Sequence, residues 1–234
     1  MWGYMAIFSK SIGIIGGAGP MASAFLYASI LRVCQQEYNA NDYAEFPEIL
    51  LVSFPFTRGD KEKIRAEIAK CFSKLMKVGA SLLCVASHSF HGFLPATPKR
   101  GFVSLVEESL KEARHLKISK ALVLASETTI RLRLYEQQGI GCVYPPAADQ
   151  LRVNRLIREV AGGKVNDAQS EALKRMLSRL RKTLSFDGVL IACTKLPLIH
   201  ANLPIAINSL PVVDTVRVLA KTLVEKALKK RRSQ

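Results

Sequence analysis

Gly188-Val-Leu-Ile-Ala-Cys-Thr-Lys-Leu-Pro197 is a short apolar run that stops at a polar turn. A run of this length without alternation is a strand buried on both faces, as in a parallel sheet. The same shape occurs in Ala80-Ser-Leu-Leu-Cys-Val-Ala-Ser-His-Ser-Phe-His91 and in Ser11–Pro20. Outward from these, further strands are predicted at Glu48–Phe54, Ala121–Ala125, Cys142–Tyr144 and Val212–Val213. Helical segments are predicted between them: Met21–Gln36, Lys61–Val78, Leu105–Leu116, Thr129–Gln138, Leu151–Ala161, Ala168–Leu184 and Asp214–Lys229. Strands separated by helices of about ten residues or more form βαβ units with parallel sheets. Ligands in such folds bind beyond the carboxyl ends of the strands. The residues just after each strand are therefore the ones to inspect.

The order of segments resembles a rough internal duplication. It predicts an α/β protein of two similar lobes, each a mostly parallel sheet flanked by helices, with the active site in the cleft between them. Residues 1–100 with 209–234 make the first expected lobe and 101–208 the second. Pro95–Gly101 and Asn208–Pro211 are the expected crossings.

Of the 234 residues, 49% are hydrophobic and 23% charged, a globular composition that excludes global disorder. The longest apolar runs, Ile49–Phe56 and Gly188–Cys193, are far too short to span a bilayer, so no membrane association is expected. Met1–Ser9 lacks the basic start and cleavage site of a signal peptide, and a cytoplasmic protein is expected. Five cysteines without a CxxC pair indicate neither a zinc site nor a disulfide framework, so no metal is expected. The net charge of +15 raises the local concentration of anions. Its dense parts, Arg152–Lys182 and Lys226–Arg232, read as solvated helix faces. With only Phe186 nearby they lack the aromatics of a nucleic-acid surface.

Gly16-Gly17-Ala18-Gly19-Pro20 follows a strand and opens a helix. Gly17, Gly19 and Ala22 satisfy a dinucleotide fingerprint, with Glu37 or Asp42 as the acid. Neither acid stands at the end of a second strand, and Pro20 suits the first helical position. The reading that survives is a turn with free N–H groups that favours an anion, for which a carboxylate suffices.

Together these motifs resemble the aspartate/glutamate racemase family, which works without pyridoxal phosphate. The I-G-I-[IL]-G-G-x-G-P opening of that family matches Ile12–Pro20. Its G-A-D-x-[IL]-x-x-x-C-N-T-x-H segment is partly matched by Gly79–His91. Its G-V-[IL]-L-[GA]-C-T-E-[IL]-P segment matches Gly188–Pro197 except at Lys195. The resemblance implies two thiols on opposite faces of a substrate Cα, one removing the proton and the other returning one. It implies no cofactor, a small amino dicarboxylate as substrate, and a homodimer.

Here Ser87 stands where the first cysteine is expected, followed by His88 and Ser89 in place of Asn and Thr. Thr128 and Leu132 depart from the usual glycine and serine, and Lys195 from an acid. The implied catalytic residues are Cys193, Ser87 and His88. His88 would serve as a base or as a partner activating Ser87. Substrate contacts fall to Gly17, Arg58, Ser89, Thr129, Lys164 and Thr194. Cys193, at a helix start in an electropositive site, is expected to have a depressed pKa and to be the most reactive thiol. The alternatives are a one-cysteine decarboxylase of the same scaffold and a catalytically dead protein that binds small acids.

Overall fold

The computed structural model describes residues 8–94, 100–136, 139–200, 206–207 and 210–228. Two compact units divide them. The first holds the described residues of Met1–Ala86, Phe93–Ser104 and Leu219–Gln234; the second holds those of Ser87–Gly92 and Leu105–Val218. The divisions thus fall at 86/87, 92/93, 104/105 and 218/219, against the expected 100/101 and 208/209. Residues 95–99 and 208–209 of the expected crossings lie outside the described residues.

In the first unit β1 (Ile12–Gly16) lies between β2 (Ile49–Ser53) and β3 (Leu82–Val85), all parallel. Every residue of β1 and β3 is buried, which is why both read as continuous apolar runs. Helices α1 (Pro20–Tyr38) and α2 (Lys61–Lys77) pack on this sheet. Between β1 and α1 the chain turns at Gly17, whose φ is +106°. A Cβ there would sit 2.0 Å from the Phe54 carbonyl oxygen, so only glycine fits.

The second unit carries the sheet β5-β4-β6-β8-β7, built from β4 (Lys120–Ala125), β5 (Gly141–Val143), β6 (Gly188–Ala192), β7 (Ala206–Ile207) and β8 (Leu210–Asp214). All pairs are parallel except β7 with β8. The strands alternate their side chains between two cores. Leu122, Leu124, Val189 and Ile191 face the side covered by α5 (Ala147–Ala161), α6 (Asp167–Thr183) and α7 (Leu196–His200). Ala121, Val123, Ala125, Leu190 and Ala192 pack against Val106, Leu110 and Ala113 of α3 (Leu105–His115).

The register fixes what stands at the carboxyl edge. Ala125 of β4 lies opposite Ala192 of β6, and Ile191 of β6 opposite Asp214 of β8. Ser126 and Cys193 therefore emerge side by side, with Thr215 level with Ala192, one residue before Cys193.

Three local expectations change. The helix expected at Thr129–Gln138 is α4 (Glu127–Arg131), because Ser126 caps it early and Arg133 turns left-handed at φ 50°. Residues 137–138 lie outside the described residues. Strand β8 is longer than Val212–Val213 and takes in Asp214, so α8 (Thr215–Ala227) begins one residue later than expected. The helix start expected at Cys193 is α7, which begins at Leu196, while strand β7 was not anticipated, its segment being too short for a periodic signal.

Candidate active site

Cys193 and Thr194 leave β6 buried, at 6% and 7% exposure. The Cys193 side chain joins the core formed by α5, α6 and α7. Burial raises its pKa, against the expected depression. The Lys195 charge and the backbone N–H groups of Lys195 and Leu196 pull the other way but do not prevail. Burial likewise pushes Cys34 to about 11 and Cys84 to about 12. Cys142 is the one cysteine that is only half-buried, so accessibility favours its alkylation over that of Cys193.

Beside Cys193, after β4, Ser126 caps α4 through the Thr129 N–H (3.4 Å), and its hydroxyl lies 3.1 Å from the Thr129 hydroxyl. The side-chain amide of Gln150 donates to the Ala125 carbonyl (2.9 Å) and to Asn154 (3.0 Å). Its buried Oε1 has no hydrogen-bond partner among the described residues.

The Ser87–Gly92 segment belongs to this same unit. It is held there by both of its histidines. Thr215 Oγ1 donates to the Ile191 carbonyl (2.8 Å), which uses its only hydrogen. The 3.0 Å contact between Thr215 Oγ1 and His88 Nε2 is therefore an N–H donated by the ring. Nδ1 of His88 is then bare and accepts from the Tyr135 hydroxyl at 2.6 Å. The neighbouring Ser109 hydroxyl donates to the Leu105 carbonyl (2.6 Å). His91 has the opposite tautomer. The Leu105 N–H donates to Nε2 (3.2 Å), so Nδ1–H donates to the Ser87 carbonyl (2.8 Å). At the end of the segment, a Cβ on Gly92 would meet Leu132 Cδ1 at 2.7 Å, so Leu132 closes that side.

Both rings are fully committed. The expectation that His88 acts as a base, or activates Ser87, meets an imidazole without a free nitrogen. The hydroxyl of Ser87 contacts that of Ser89 at 3.3 Å. Ser87 and His88 are buried and Ser89 half-buried.

Burial lowers the pKa of both histidines. His88 lies well below its ordinary value, with the His91 and Lys195 charges adding repulsion. His91 falls to about 4, although its bonds to the Ser87 and His88 backbone raise it somewhat. An unfolded histidine binds its proton near pH 6.5, while folded His91 stays neutral down to about 4. Stability is therefore full above pH 6.5 and declines as the pH falls through that value toward 4. His91 alone contributes a loss of about 3 kcal/mol. Urea denaturation at pH 7 and pH 4 is expected to show this loss, and His91→Asn a shallower slope between them.

Of the remaining predicted contacts, Gly17 and Arg58 belong to the first unit and Lys164 to the second. Gly17, in the first unit, already donates its N–H to the Ser23 hydroxyl (3.2 Å), so that donor is not free as expected. Of the two acids in the dinucleotide reading, Glu37 pairs with Lys221 (3.0 Å) and Asp42 caps a single turn. Neither is placed to read a ribose. Arg58, also in the first unit, is exposed on the loop between β2 and α2. Glu67 fixes that loop, accepting from the Thr57 N–H (2.9 Å) and hydroxyl (2.6 Å). In the second unit Lys164 is exposed after α5 and lines an open pocket of about 250 Å³ with Arg155, Arg158, Glu159 and Gly162.

Ser126, Tyr135 and Thr215 were missed as site residues. The rule of inspecting strand ends covers Ser126, and it would have found Thr215 had β8 been read to its full length. Tyr135 fits the family's pattern in the segment where Thr128 and Leu132 depart from it, but no role was read for it there.

Residues 15–223 match the Asp/Glu/hydantoin racemase family, and the chain belongs to it. It is 28% identical over 225 residues to the broad specificity amino-acid racemase RacX of Bacillus subtilis (strain 168), covering 91% of this chain and 96% of that one. The fold is similar to that of an aspartate racemase homologue from Pyrococcus horikoshii OT3, at TM-score 0.75 and 23% identity over 94% of this chain and 99% of that one. Picrophilus torridus aspartate racemase is alike at TM-score 0.75 and 22% identity, covering 94% and 96%. No helix among the described residues is long and apolar enough to cross a membrane.

Proposed function

We propose that the chain is a cofactor-independent racemase-type isomerase that exchanges the α-proton of a small amino dicarboxylate, with Cys193 as the acid/base. The observation that supports this reading is Cys193 at the carboxyl edge of β6, in register with Ser126 after β4, whose hydroxyl lies 3.1 Å from that of Thr129. A buried thiol of raised pKa is a proton donor at rest. The Lys195 ammonium and two backbone N–H groups support its thiolate once the proton has left. Thr129, Thr194 and Ser126 supply hydroxyls for the α-carboxylate, where negative charge grows as the α-proton departs. Lys164 is assigned to the distal carboxylate. Ser87, with Ser89 behind it, serves the second face as a weak proton donor. The enzyme acts as a homodimer in the cytoplasm.

One observation favours a second reading, the single-thiol decarboxylase. Neither histidine ring has a nitrogen to offer Ser87, so one thiol alone reprotonates a carbanion readily. Proton NMR in heavy water with added chelator, run beside a thermal-shift screen of amino dicarboxylates, separates the readings. Loss of the α-proton signal with ligand stabilisation supports the isomerase. Release of carbon dioxide would indicate the decarboxylase. Stabilisation without either would leave a binding protein.

A further inference from the structure

We infer that His88 is a positioning residue: with Tyr135 and Thr215 it bridges the Ser87–Ser89 turn to strand β6, two residues before Cys193. The inference deepens the isomerase reading and rests on it for its kinetic part. The links run in one direction. The Tyr135 hydroxyl donates to His88 Nδ1, His88 Nε2–H donates to Thr215, and Thr215 donates to the Ile191 carbonyl. In this order every hydrogen has an acceptor: the Tyr135 O–H has His88 Nδ1, the ring N–H has Thr215, and the Thr215 O–H has the Ile191 carbonyl. His88 is 3% exposed, Tyr135 1% and Thr215 0%, so water does not compete for these bonds.

The bridge joins two groups that must face one substrate carbon. Ser87 precedes the ring in sequence, and Ile191 lies in the strand that ends just before Cys193. A second tie fixes the turn from the other side, because His91 Nδ1–H holds the Ser87 carbonyl. Serine gives the turn a weak proton donor, so its distance from the substrate carbon governs the slow half of the reaction. A displacement of about 1 Å between reacting groups costs on the order of 100-fold in rate. His88 thus acts on the reaction through Ser87, without touching the reacting atoms.

Two near-isosteric variants cut the bridge at different links, Tyr135→Phe and Thr215→Val. Long-range proton–nitrogen NMR reads the tautomers directly. In the wild type at pH 6 His88 is expected as the neutral Nε2–H form and His91 as the neutral Nδ1–H form. Either variant should change the His88 signals, leave the His91 tautomer in place and speed amide exchange across residues 87–89. In both, kcat for inversion is expected to drop about tenfold or more, with KM within about twofold. A His88 that is protonated or Nδ1–H in the wild type would overturn the bridge. Unchanged kcat in variants whose His88 signals have moved would overturn the positioning role. If the wild type turns over no amino acid, the isomerase reading falls and the positioning role with it, while the tautomers still decide the bridge.

Discussion

Cys193→Ala loses α-proton exchange with every amino acid that the wild type accepts, by a factor on the order of 10² to 10⁴. The variant removes the thiol at the end of β6, where Cys193 packs among apolar side chains such as Leu196 and Ile199. Thr194 and Thr129 keep their hydroxyls, so substrate affinity is expected to hold within a few-fold while turnover vanishes. The wild-type rate should also rise with pH. Burial lifts the Cys193 pKa above the ordinary thiol range, so the thiolate fraction still grows above about pH 8.5. Proton NMR in heavy water across pH 7 to 9.5, with a thermal melt of the variant, checks both. A Cys193→Ala protein that melts normally and exchanges at the wild-type rate would remove the thiol from the chemistry.

Ser87→Cys is expected to raise inversion by about tenfold or more, toward the rate of exchange. The reason lies in what surrounds Ser87. Its hydroxyl contacts Ser89, and the two histidines beside it are closed into their own bonds. Neither ring is free to make its alkoxide, so removal of a proton on that face is expected to be slow. A thiol there ionises far more readily. The two enantiomers have equal free energy in water, so inversion has the same kcat/KM in both directions however unequal the faces are. The substitution therefore lifts both directions together. Inversion rates measured from each pure enantiomer, by circular dichroism or chiral chromatography, decide the matter. Unchanged or lower inversion in a folded Ser87→Cys protein would mean that Ser87 does not limit the reaction.

The fold was legible because its strands are buried on both faces. Gly188–Ala192 reads as uninterrupted apolar sequence, as does Leu82–Val85, and both are strands with every residue buried. Helices α2 and α6 were equally plain, with Asp60 and Asn166 bonding the backbone N–H groups of their first turns. The short α4 was overestimated, since the left-handed turn at Arg133 is set by tertiary context that arginine does not announce. Cys193 and Thr194 stand out in the sequence because they follow a buried strand. The raised pKa of Cys193 was not foreseen, because a motif reveals neighbours in sequence but not the depth of burial. The same limit applies to His88. Its type suggests a base, yet its partners Tyr135 and Thr215 come from 47 and 127 residues away.

The central claim is that a single thiol, Cys193, serves one face of the substrate carbon while Ser87 serves the other poorly. Proton NMR in heavy water, started separately from each pure enantiomer of aspartate and of glutamate, tests it most directly. The account predicts that one enantiomer takes up deuterium faster than it inverts, and that the other loses its α-proton only as slowly as it inverts. Equal and rapid loss of the α-proton from both enantiomers would contradict it, by showing a competent base on each face.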